Sequence, residues 1–515
     1  MLCKRGFAIK TWQSLLKDLA LINFTSRTMI TSIPTITSPP VVRHNGDDLP
    51  TNGVGTNRGE YPQIIWAIAL AIGSDRDMVS FGLTCKGIRA QIEGEKGTFW
   101  RRRFLLAYDE PECWASYLPF FVGQEAKKHY QRRQLVVNAP ADFTNPLEYE
   151  RQLETLVVLH DMIIESNFSG GISKNVVVME RFARDSNILR KVFHRDGVSN
   201  ESKYETVAVT LFHLSTFQRP FVPDANYTEE FRRLTDNTVL GFSASQQRVY
   251  ASSRLEPVTL TIGEDNINME WLLHLTNFFK EHIMRRANGT LYNAFSELPE
   301  LARPRGWQTK LTGGTHAIGK FWKGSCAYVE HTEQQNIRRG LNFSHGLHIL
   351  DKFLEEEDGG GFQEYEIECI SNPNDIVWPL AFANIDGIER VNTQATSHAG
   401  YAPIHFKVTG PRAYEPNFEA RGWLHALPAQ YDIEGWQRFD MVSFTRNDLG
   451  AIVTDKLWAY QAVVLPGGQI ILGRWWDPLT GTGDFQYSGP IMVWNVDAAH
   501  ASEESNNNGE ATAQA

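Results

Sequence analysis

Residues 61–104 constrain the fold of this chain most, because their pattern predicts short apolar helices that cannot be stable alone. Pro62 suits the first turn of a helix, where its missing N–H would have had no partner. The apolar run 64–72 that follows is too short to span a membrane. A second helix is predicted to begin near Asp77, and a third spans 88–92. Three short helices bury little surface by themselves, and the first has apolar side chains all around it. The segment is therefore predicted to be a docking module that another polypeptide covers.

The spacing of residues in this segment resembles that of an F-box. The residues that carry the resemblance are Tyr61-Pro62, Ile65, Leu70, Asp77-Met78, Leu83-Thr84-Cys85-Lys86, Ile88-Arg89 and Phe99-Trp100-Arg101. From Pro62 to Lys86 the spacing fits the family without a gap. Tyr61, Ile64 and Gly73 stand where the family usually has Leu, Glu and an apolar residue. The other interpretation is that the segment is a helical part of a larger core.

The resemblance implies that this segment binds a Skp-type adaptor and, through it, a cullin ligase core. The residues expected to form or support that surface are Pro62, Ile65, Leu70, Met78, Leu83, Cys85 and Trp100. Such a protein makes or breaks no bond itself. It is expected to be a non-catalytic receptor that raises the local concentration of a target protein beside the ubiquitin carrier.

Composition excludes several other classes of function. The 515 residues are 42% hydrophobic and 21% charged, as expected for a soluble protein of several domains. A formal net charge of −10 argues against broad binding to nucleic acids or anionic membranes. The five cysteines contain no CxxC pair, which indicates a reducing compartment rather than a disulfide framework or zinc site. No apolar run reaches the length of a membrane span, and the predicted location is the cytoplasm, the nucleus or both.

Local patterns divide the chain into segments of an α+β protein. They are a mostly disordered N-terminal segment and linker at 1–58, the F-box at 59–105, a mainly helical domain at 106–300, an antiparallel β-barrel at 301–497 and a disordered tail at 498–515. Within the helical domain, helices are predicted at 125–135, 150–164, 175–193, 204–217 and 269–283.

Strand patterns dominate from about Trp307 onward, and nine of the fourteen tryptophans lie between Trp307 and Trp494. Strands are predicted at 319–331, 363–369, 405–409, 421–427, 438–447, 458–465 and 469–476. The last two form a hairpin closed at Pro466-Gly467-Gly468. A closed antiparallel barrel is favoured over a sandwich, because closure removes the sheet edges that so aromatic a sequence would otherwise expose.

Several pieces of this half resemble the C-terminal domain of fungal F-box proteins and, distantly, the lipocalin-like barrel of some animal F-box substrate receptors. They are 319–328, 422–428, 435–439, 458–468 and 473–476. The resemblance implies that the barrel captures a segment of a target protein near its mouth.

The end of the predicted hairpin supplies the expected substrate-binding residues. Trp475 and Trp476 are adjacent, so on a strand they face opposite sides, and one of them is expected to fill the barrel. Arg474, on the same side as Trp476, would meet a carboxylate of the target if the barrel has an open mouth. Alternatively it pairs internally with an aspartate such as Asp477 or Asp386. The full expected set is Arg474, Trp476, Trp458 and Tyr460.

No pattern in the sequence indicates catalysis or a metal site. His345 and His348 have no accompanying third ligand, the acidic run 355–358 lacks the alternating spacing of a calcium loop, and the glycines at 359–361 precede no phosphate-loop lysine. We therefore expect no catalytic residue, metal or cofactor. The alternative function is a lipocalin-like barrel that binds a small apolar ligand and has no ligase role. A lumen of about 300 Å³ or more would favour that alternative, whereas a lumen filled by Trp and Phe would favour recognition at the surface.

Overall fold

The structure, a computed structural model, joins a helical N-terminal part to a C-terminal antiparallel barrel, which confirms the predicted α+β class. The residues that it describes are 62–94, 98–116, 119–142, 145–169, 171–186, 242–251, 266–284, 291–339, 351–353, 362–370, 400–409, 418–479 and 486–503. The predicted N-terminal segment 1–58 and the predicted helix 204–217 lie outside these ranges, as do His345, His348 and residues 355–361.

Four short helices open the described chain. They are α1 (Pro62–Ala71), α2 (Asp75–Thr84), α3 (Lys86–Ile92) and α4 (Thr98–Ala107). Helix α1 begins at Pro62, as predicted. Helix α2 begins at Asp75 rather than near Asp77, because Ser74 is its N-cap and accepts a hydrogen bond from the backbone N–H of Asp77 at 3.3 Å. Cys85 caps α3 in the same way, its Sγ lying 3.4 Å from the backbone N–H of Ile88.

Three longer helices pack with the first four around one apolar core, called here the first core, which includes Trp100, Phe104, Leu156, Leu159 and Met162. They are α5 (Pro119–Asn138), α6 (Tyr149–Ile164) and α7 (Lys174–Asp185), with 3₁₀ turns at Glu112–Ser116 and Pro146–Glu148. Their positions confirm the helices predicted within 125–135 and 150–164 and the first part of the one predicted at 175–193. The buried carboxylate of Asp109 accepts hydrogen bonds from the N–H groups of Asn167, Lys174 and Asn175 at 3.0–3.3 Å. It thereby satisfies donors at the start of α7 that the helix leaves unpaired.

The remaining described helices belong with the barrel. They are α8 (Phe242–Ala251), α9 (Met269–Met284), α10 (Tyr292–Glu297) and α11 (His331–Arg338), with a 3₁₀ turn at Glu300–Ala302. The position of α9 confirms the predicted helix at 269–283. Its buried residues Trp271, Leu272, Leu275, Phe278 and Phe279 share one apolar core with residues of the barrel wall.

Nine strands of the described residues form one antiparallel sheet. They are β1 (Phe321–Tyr328), β2 (Lys352–Phe353), β3 (Gln363–Ile370), β4 (Ile404–Thr409), β5 (Phe418–Ala426), β6 (Gln437–Arg446), β7 (Ile452–Val464), β8 (Ile470–Trp476) and β9 (Ser488–Asn495). The order is β2-β1-β3-β4-β5-β6-β7-β8-β9, and β1 also pairs with β9, so all strands except β2 close into a barrel. The predicted hairpin is present, with Gly467 and Gly468 at φ of 89° and 69°.

Alternate residues of the strands point to two different cores. On β8, Ile471 and Trp475 lie in the core inside the barrel, whereas Ile470 and Leu472 pack outward in the core shared with the helices. The same alternation holds on β9, where Val493 faces inward and Trp494 outward. Both faces of this part of the sheet are therefore buried.

The chain remains helical for a short distance past the barrel. Residues 497–503 are helical, so the prediction that the tail 498–515 is disordered is wrong for its first six residues, 498–503. The ring of His500 stacks on Phe321 with centroids 4.1 Å apart, and Ala499 is buried. The side chain of Asp497 accepts the N–H of Phe321 at 2.6 Å. These contacts attach the end of the described chain to the first barrel strand.

Candidate functional site

Helix α1 exposes an apolar stripe to solvent. Ile64 and Ile68 are 54% and 46% exposed, and Ala67 and Ala71 are also exposed. The spacing i, i+3, i+4, i+7 places the four side chains on one face of the helix. On the other face, Ala69 is completely buried in the first core. The helix is thus apolar on both faces, although only one of them is used inside the chain.

The residues predicted to meet or support an adaptor divide between surface and interior. Met78 and Trp100 are buried in the first core, Ile65 and Leu70 are half-buried, and Leu83 and Cys85 are exposed. Pro62 is the first residue of α1. Met78 and Trp100 therefore belong to the interior, whereas Leu83 and Cys85 are at the surface of the described chain. The resemblance to an F-box did not single out Ile68 and gave Ile64 only as a departure from the family pattern. The helical spacing of 64, 67, 68 and 71 is nevertheless present in the sequence.

A buried arginine fixes the turn between α1 and α2. Arg103 on α4 donates from Nη1 to the carbonyl of Ile72 at 2.8 Å and from Nη2 to Asp75 Oδ1 at 2.9 Å. Its Nε donates to the hydroxyl of Tyr130 at 3.0 Å, and that hydroxyl in turn donates to Asp75 at 2.8 Å. Burial and the neighbouring Asp75 raise the pKa of Tyr130, so its hydroxyl stays protonated and remains a donor. The network holds the exposed stripe of α1 at a defined angle.

Contacts of two tryptophan side chains also connect these helices. The indole N–H of Trp66 on α1 donates to the carbonyl of Gln91 on α3 at 3.0 Å. The Nζ of Lys127 lies 5.2 Å from the ring centroid of Trp100 and forms an ion pair with Glu93. These contacts connect helices α1, α3, α4 and α5 to one another.

The barrel interior is filled by its own side chains. Phe406 and Phe439 stack with centroids 4.8 Å apart, and Trp458 meets Trp475 edge-to-face at 5.2 Å. Trp322 on β1 belongs to the same core and is completely buried. A lumen wide enough for water would leave such side chains measurably exposed, yet the aromatic residues of this core other than Trp458, Tyr328 and Tyr487 are almost fully buried.

The four residues predicted to bind a substrate do not converge. Trp458 and Tyr460 point into the barrel with Trp475, which also donates its indole N–H to the carbonyl of Ala327 at 3.1 Å. Arg474 and Trp476, two positions apart on β8, point to the outer face. The prediction that Trp475 and Trp476 lie on opposite faces is confirmed, and it is Trp475 that fills the lumen.

Arg474 is buried on the outer face of the barrel wall, on the same side of β8 as Ile470 and Leu472. Its side chain is 4% exposed, and its guanidinium carbon lies 4.9 Å from the centroid of the Trp476 ring. Neither Nε nor Nη1 has a hydrogen-bond acceptor. The carboxylate of Asp477 instead accepts the N–H of Leu479 at 2.8 Å. Asp386, the other proposed partner, lies outside the described residues.

A second polar cluster is buried between α8 and α9. The hydroxyl of Ser245 lies 3.1 Å from Nδ1 of His274 and accepts a hydrogen bond from Asn277 at 2.8 Å. Desolvation lowers the pKa of His274 to about 4, so the imidazole is neutral at pH 7, and its tautomer decides whether Nδ1 donates to or accepts from the serine hydroxyl. All three side chains are almost fully buried, which makes this a structural network rather than a nucleophile open to substrate.

Two features are absent from the part of the chain that the structure describes, a metal-binding cluster and a membrane-spanning helix. No group of three or more His, Cys, Asp or Glu side chains in these ranges is arranged to hold a metal ion. Of the helices that the structure describes, none combines the length and the apolar content of a bilayer-spanning segment. Comparison of the chain with protein-family models, curated proteins and solved structures found no match.

Proposed function

We propose that this chain is the substrate receptor of an SCF-type ubiquitin ligase, with α1–α3 docking on a Skp-type adaptor that links it to the cullin core. The observation that carries the proposal is the solvent-exposed apolar stripe of Ile64, Ala67, Ile68 and Ala71 on a helix whose other face is already packed. Burying this stripe requires a second apolar surface, and none of the contacts of the described chain supplies it. The F-box-like spacing of residues 62–101 indicates that the partner is a Skp-type adaptor.

The proposed mechanism is proximity: this chain holds a target protein beside the ubiquitin carrier and catalyses no reaction itself. The Arg103 network and the packing of Trp66 and Trp100 hold the docking helices rigidly on the first core. The barrel would present a target protein at its surface, because its interior is occupied by aromatic side chains. Such a receptor would act in the cytoplasm or nucleus, where the ligase core works.

The filled lumen supports surface recognition over the alternative of a lipocalin-like carrier. A carrier needs an internal pocket of about 300 Å³ or more for a small apolar ligand. In this barrel Trp322, Phe406, Phe439 and Trp475 belong to one buried core inside the sheet, and Phe406 stacks on Phe439. We therefore propose that the barrel binds a protein target rather than a small apolar ligand.

Co-purification with the adaptor tests the proposal. The double variant Ile64→Asp/Ile68→Asp puts charges on the exposed stripe without changing a packed residue, and it should weaken adaptor binding by about 100-fold or more. A substitution of Leu70 would be a poorer probe, because Leu70 packs partly against the core. The control is Leu147→Asp/Leu449→Asp, since these two side chains are 93% and 92% exposed elsewhere on the chain.

The control variant should bind the adaptor as the wild type does. Circular dichroism of both double variants establishes that helix content is unchanged. Wild-type adaptor binding by a folded Ile64→Asp/Ile68→Asp chain would show that the stripe on α1 is not the docking surface.

A further inference from the structure

The turn between β5 and β6 contacts helix α6 and connects the barrel to the helical part of the chain. Nε2 of His160 on α6 lies 2.7 Å from the carbonyl oxygen of Tyr431 in this turn. Two backbone hydrogen bonds of 3.0 Å between Gln430 and Ile433 close the turn. Ile433 is completely buried and belongs to the first core. The helices and the barrel are therefore packed together at this turn.

Exposed apolar side chains flank the contact along α6. Val157 and Ile164 are 37% and 45% exposed. The spacing i, i+3, i+7 places them on the same face of the helix as His160, about one helical turn to either side of it. The barrel adds Tyr431, which is 42% exposed. Three exposed apolar side chains from two parts of the chain thus border one contact, whereas surface apolar residues without a binding role are usually scattered singly.

The conformation of the turn does not favour a tyrosine at position 431. Tyr431 and Asp432 are the non-glycine residues of the described chain that have positive φ, at 52° and 63°. A two-residue hairpin turn of this left-handed form prefers Asn-Gly, because most other side chains crowd the backbone there. Tyr431 is therefore present against the local preference, and its partly exposed ring does not complete a core.

Carboxylates give the surface beside Tyr431 a negative charge. Asp432 and Glu434 are both exposed. Neither forms an ion pair with another described residue, and the carboxylate of Glu434 accepts the backbone N–H of Gly313 at 2.8 Å. A complementary partner would therefore combine apolar side chains with a positive charge.

We propose that the target protein binds across this contact through an apolar segment that contains an arginine. The surface, called here the junction surface, consists of Val157, His160, Ile164, Tyr431 and Asp432. Apolar side chains of the segment would pack on Val157 and Ile164. An arginine would stack on the ring of Tyr431 and meet the carboxylate of Asp432, since a guanidinium suits both an aromatic face and a carboxylate. The inference rests on the proposed function, because it names the target class of that receptor, and the surface shares no residue with the α1 stripe.

Binding of a defined peptide to the full chain tests the proposal. The probe is a fluorescently labelled peptide, Ala-Leu-Arg-Leu-Ala, and the matched peptide Ala-Leu-Glu-Leu-Ala reverses its charge. Fluorescence anisotropy should show saturable binding of the arginine peptide with a Kd of about 10⁻⁴ M, and binding of the glutamate peptide at least about tenfold weaker. Equal binding of the two peptides, or no saturable binding of the arginine peptide, would overturn the proposal.

The variant Tyr431→Asn separates recognition from folding. Asparagine suits a left-handed turn and keeps the carbonyl that contacts His160, so the Tm should be at least that of the wild type. The affinity for the arginine peptide should fall about tenfold, because the aromatic ring is lost. The control Leu449→Asn replaces a side chain that is 92% exposed on the turn after β6 and should keep the wild-type affinity. Wild-type affinity in a folded Tyr431→Asn chain would contradict the assignment of the junction surface.

Two further measurements distinguish this inference from the proposed function. Tyr431→Asn should bind the adaptor as the wild type does, since the α1 stripe is unchanged. A chain that binds the adaptor but not the arginine peptide would overturn the junction surface alone, whereas one that binds the peptide as described but no adaptor would overturn the ligase role and leave the surface assigned. Sedimentation reports the oligomeric state, and self-association of the wild type that Tyr431→Asn abolishes would show that a second copy of this chain occupies the surface in place of a target.

Discussion

Arg103 lies 2.9 Å from Asp75 and connects the end of α1 to the start of α2. The same guanidinium reaches the carbonyl of Ile72 at 2.8 Å, so one side chain satisfies an acceptor just past α1 and a carboxylate in the first turn of α2. Its side chain is buried, whereas that of Asp75 is partly exposed. The exposed stripe of α1 thus depends for its orientation on a residue that belongs to the supporting core and lies outside the stripe.

We predict that Arg103→Met destabilises the chain by about 2–3 kcal/mol, because it removes the donor to the Ile72 carbonyl and to the Tyr130 oxygen and takes the buried cation away from Asp75, which keeps the Tyr130 hydroxyl as a donor. Urea unfolding followed by circular dichroism measures the change. The matched variant Arg101→Met removes a neighbouring arginine whose ion pair with Glu110 is exposed, and it should cost less than about 1 kcal/mol. Equal losses in the two variants would show that the buried network does not stabilise the docking helices.

The stability of the chain should fall as the pH is lowered from 6.5 toward 4, partly because of His274. The pKa of His274 falls from 6.5 to about 4 on folding, so between these values the unfolded chain binds the proton that the folded chain excludes. Stability therefore rises with pH through this window, and the contribution reaches up to about 3 kcal/mol above pH 6.5. His274→Gln keeps a hydrogen-bonding partner for Ser245, able to donate or accept, without a titrating group. Its free energy of unfolding, measured in urea between pH 4.5 and 7, should vary less with pH than that of the wild type. The same pH dependence in both proteins would contradict a buried neutral imidazole.

Close packing of β5 on β6 leaves no room for a side chain at Gly422. A Cβ atom there would lie 2.3 Å from the carbonyl oxygen of Asp440 and 2.4 Å from the ring of Phe406. We predict that Gly422→Ala costs about 3 kcal/mol or more, because the first atom belongs to the strand ladder and the second to the filled lumen. Gly73→Ala is the control, since nothing lies within 4 Å of its Cβ position, and it should change stability by less than about 0.5 kcal/mol. A Gly422→Ala chain with a wild-type Tm would mean that the barrel wall is looser than described.

Sequence patterns predicted the strongly periodic parts of this fold and missed the parts decided by tertiary contacts. Helices α5, α6 and α9 and the strands from β3 to β8 lie where periodicity placed them. Strand β9 was missed because it contains Gly489 and Pro490, which are poor strand residues on local grounds. Its pairing with both β8 and β1 closes the barrel and overrides that preference. Helix α11 was missed because it follows β1 closely and has few apolar residues.

The candidate site shows a second limit of sequence patterns. Alternation along β8 separates Trp475 from Trp476 but cannot tell which one faces the lumen, since both faces of the strand are buried. The sequence therefore grouped Arg474 with Trp458 and Tyr460, although the wall of the barrel lies between them. On α1, by contrast, the sequence left a residue of the candidate site out of the predicted set. The exposed stripe that carries the proposed function includes Ile64, which resemblance alone marked as a departure.

The last prediction concerns the barrel interior. Phe406 is completely buried and stacks on Phe439, so Phe406→Ala should cost about 3–5 kcal/mol and leave a dry apolar cavity. Benzene should enter that cavity and raise the Tm of the variant, whereas it should leave the Tm of the wild type unchanged because the native lumen is occupied. Leu449→Ala, at an exposed position on the turn after β6, is the control for nonspecific effects of benzene. Stabilisation of the wild type by benzene would reveal an open lumen and would favour an apolar-ligand carrier over a receptor that recognises its target at the surface.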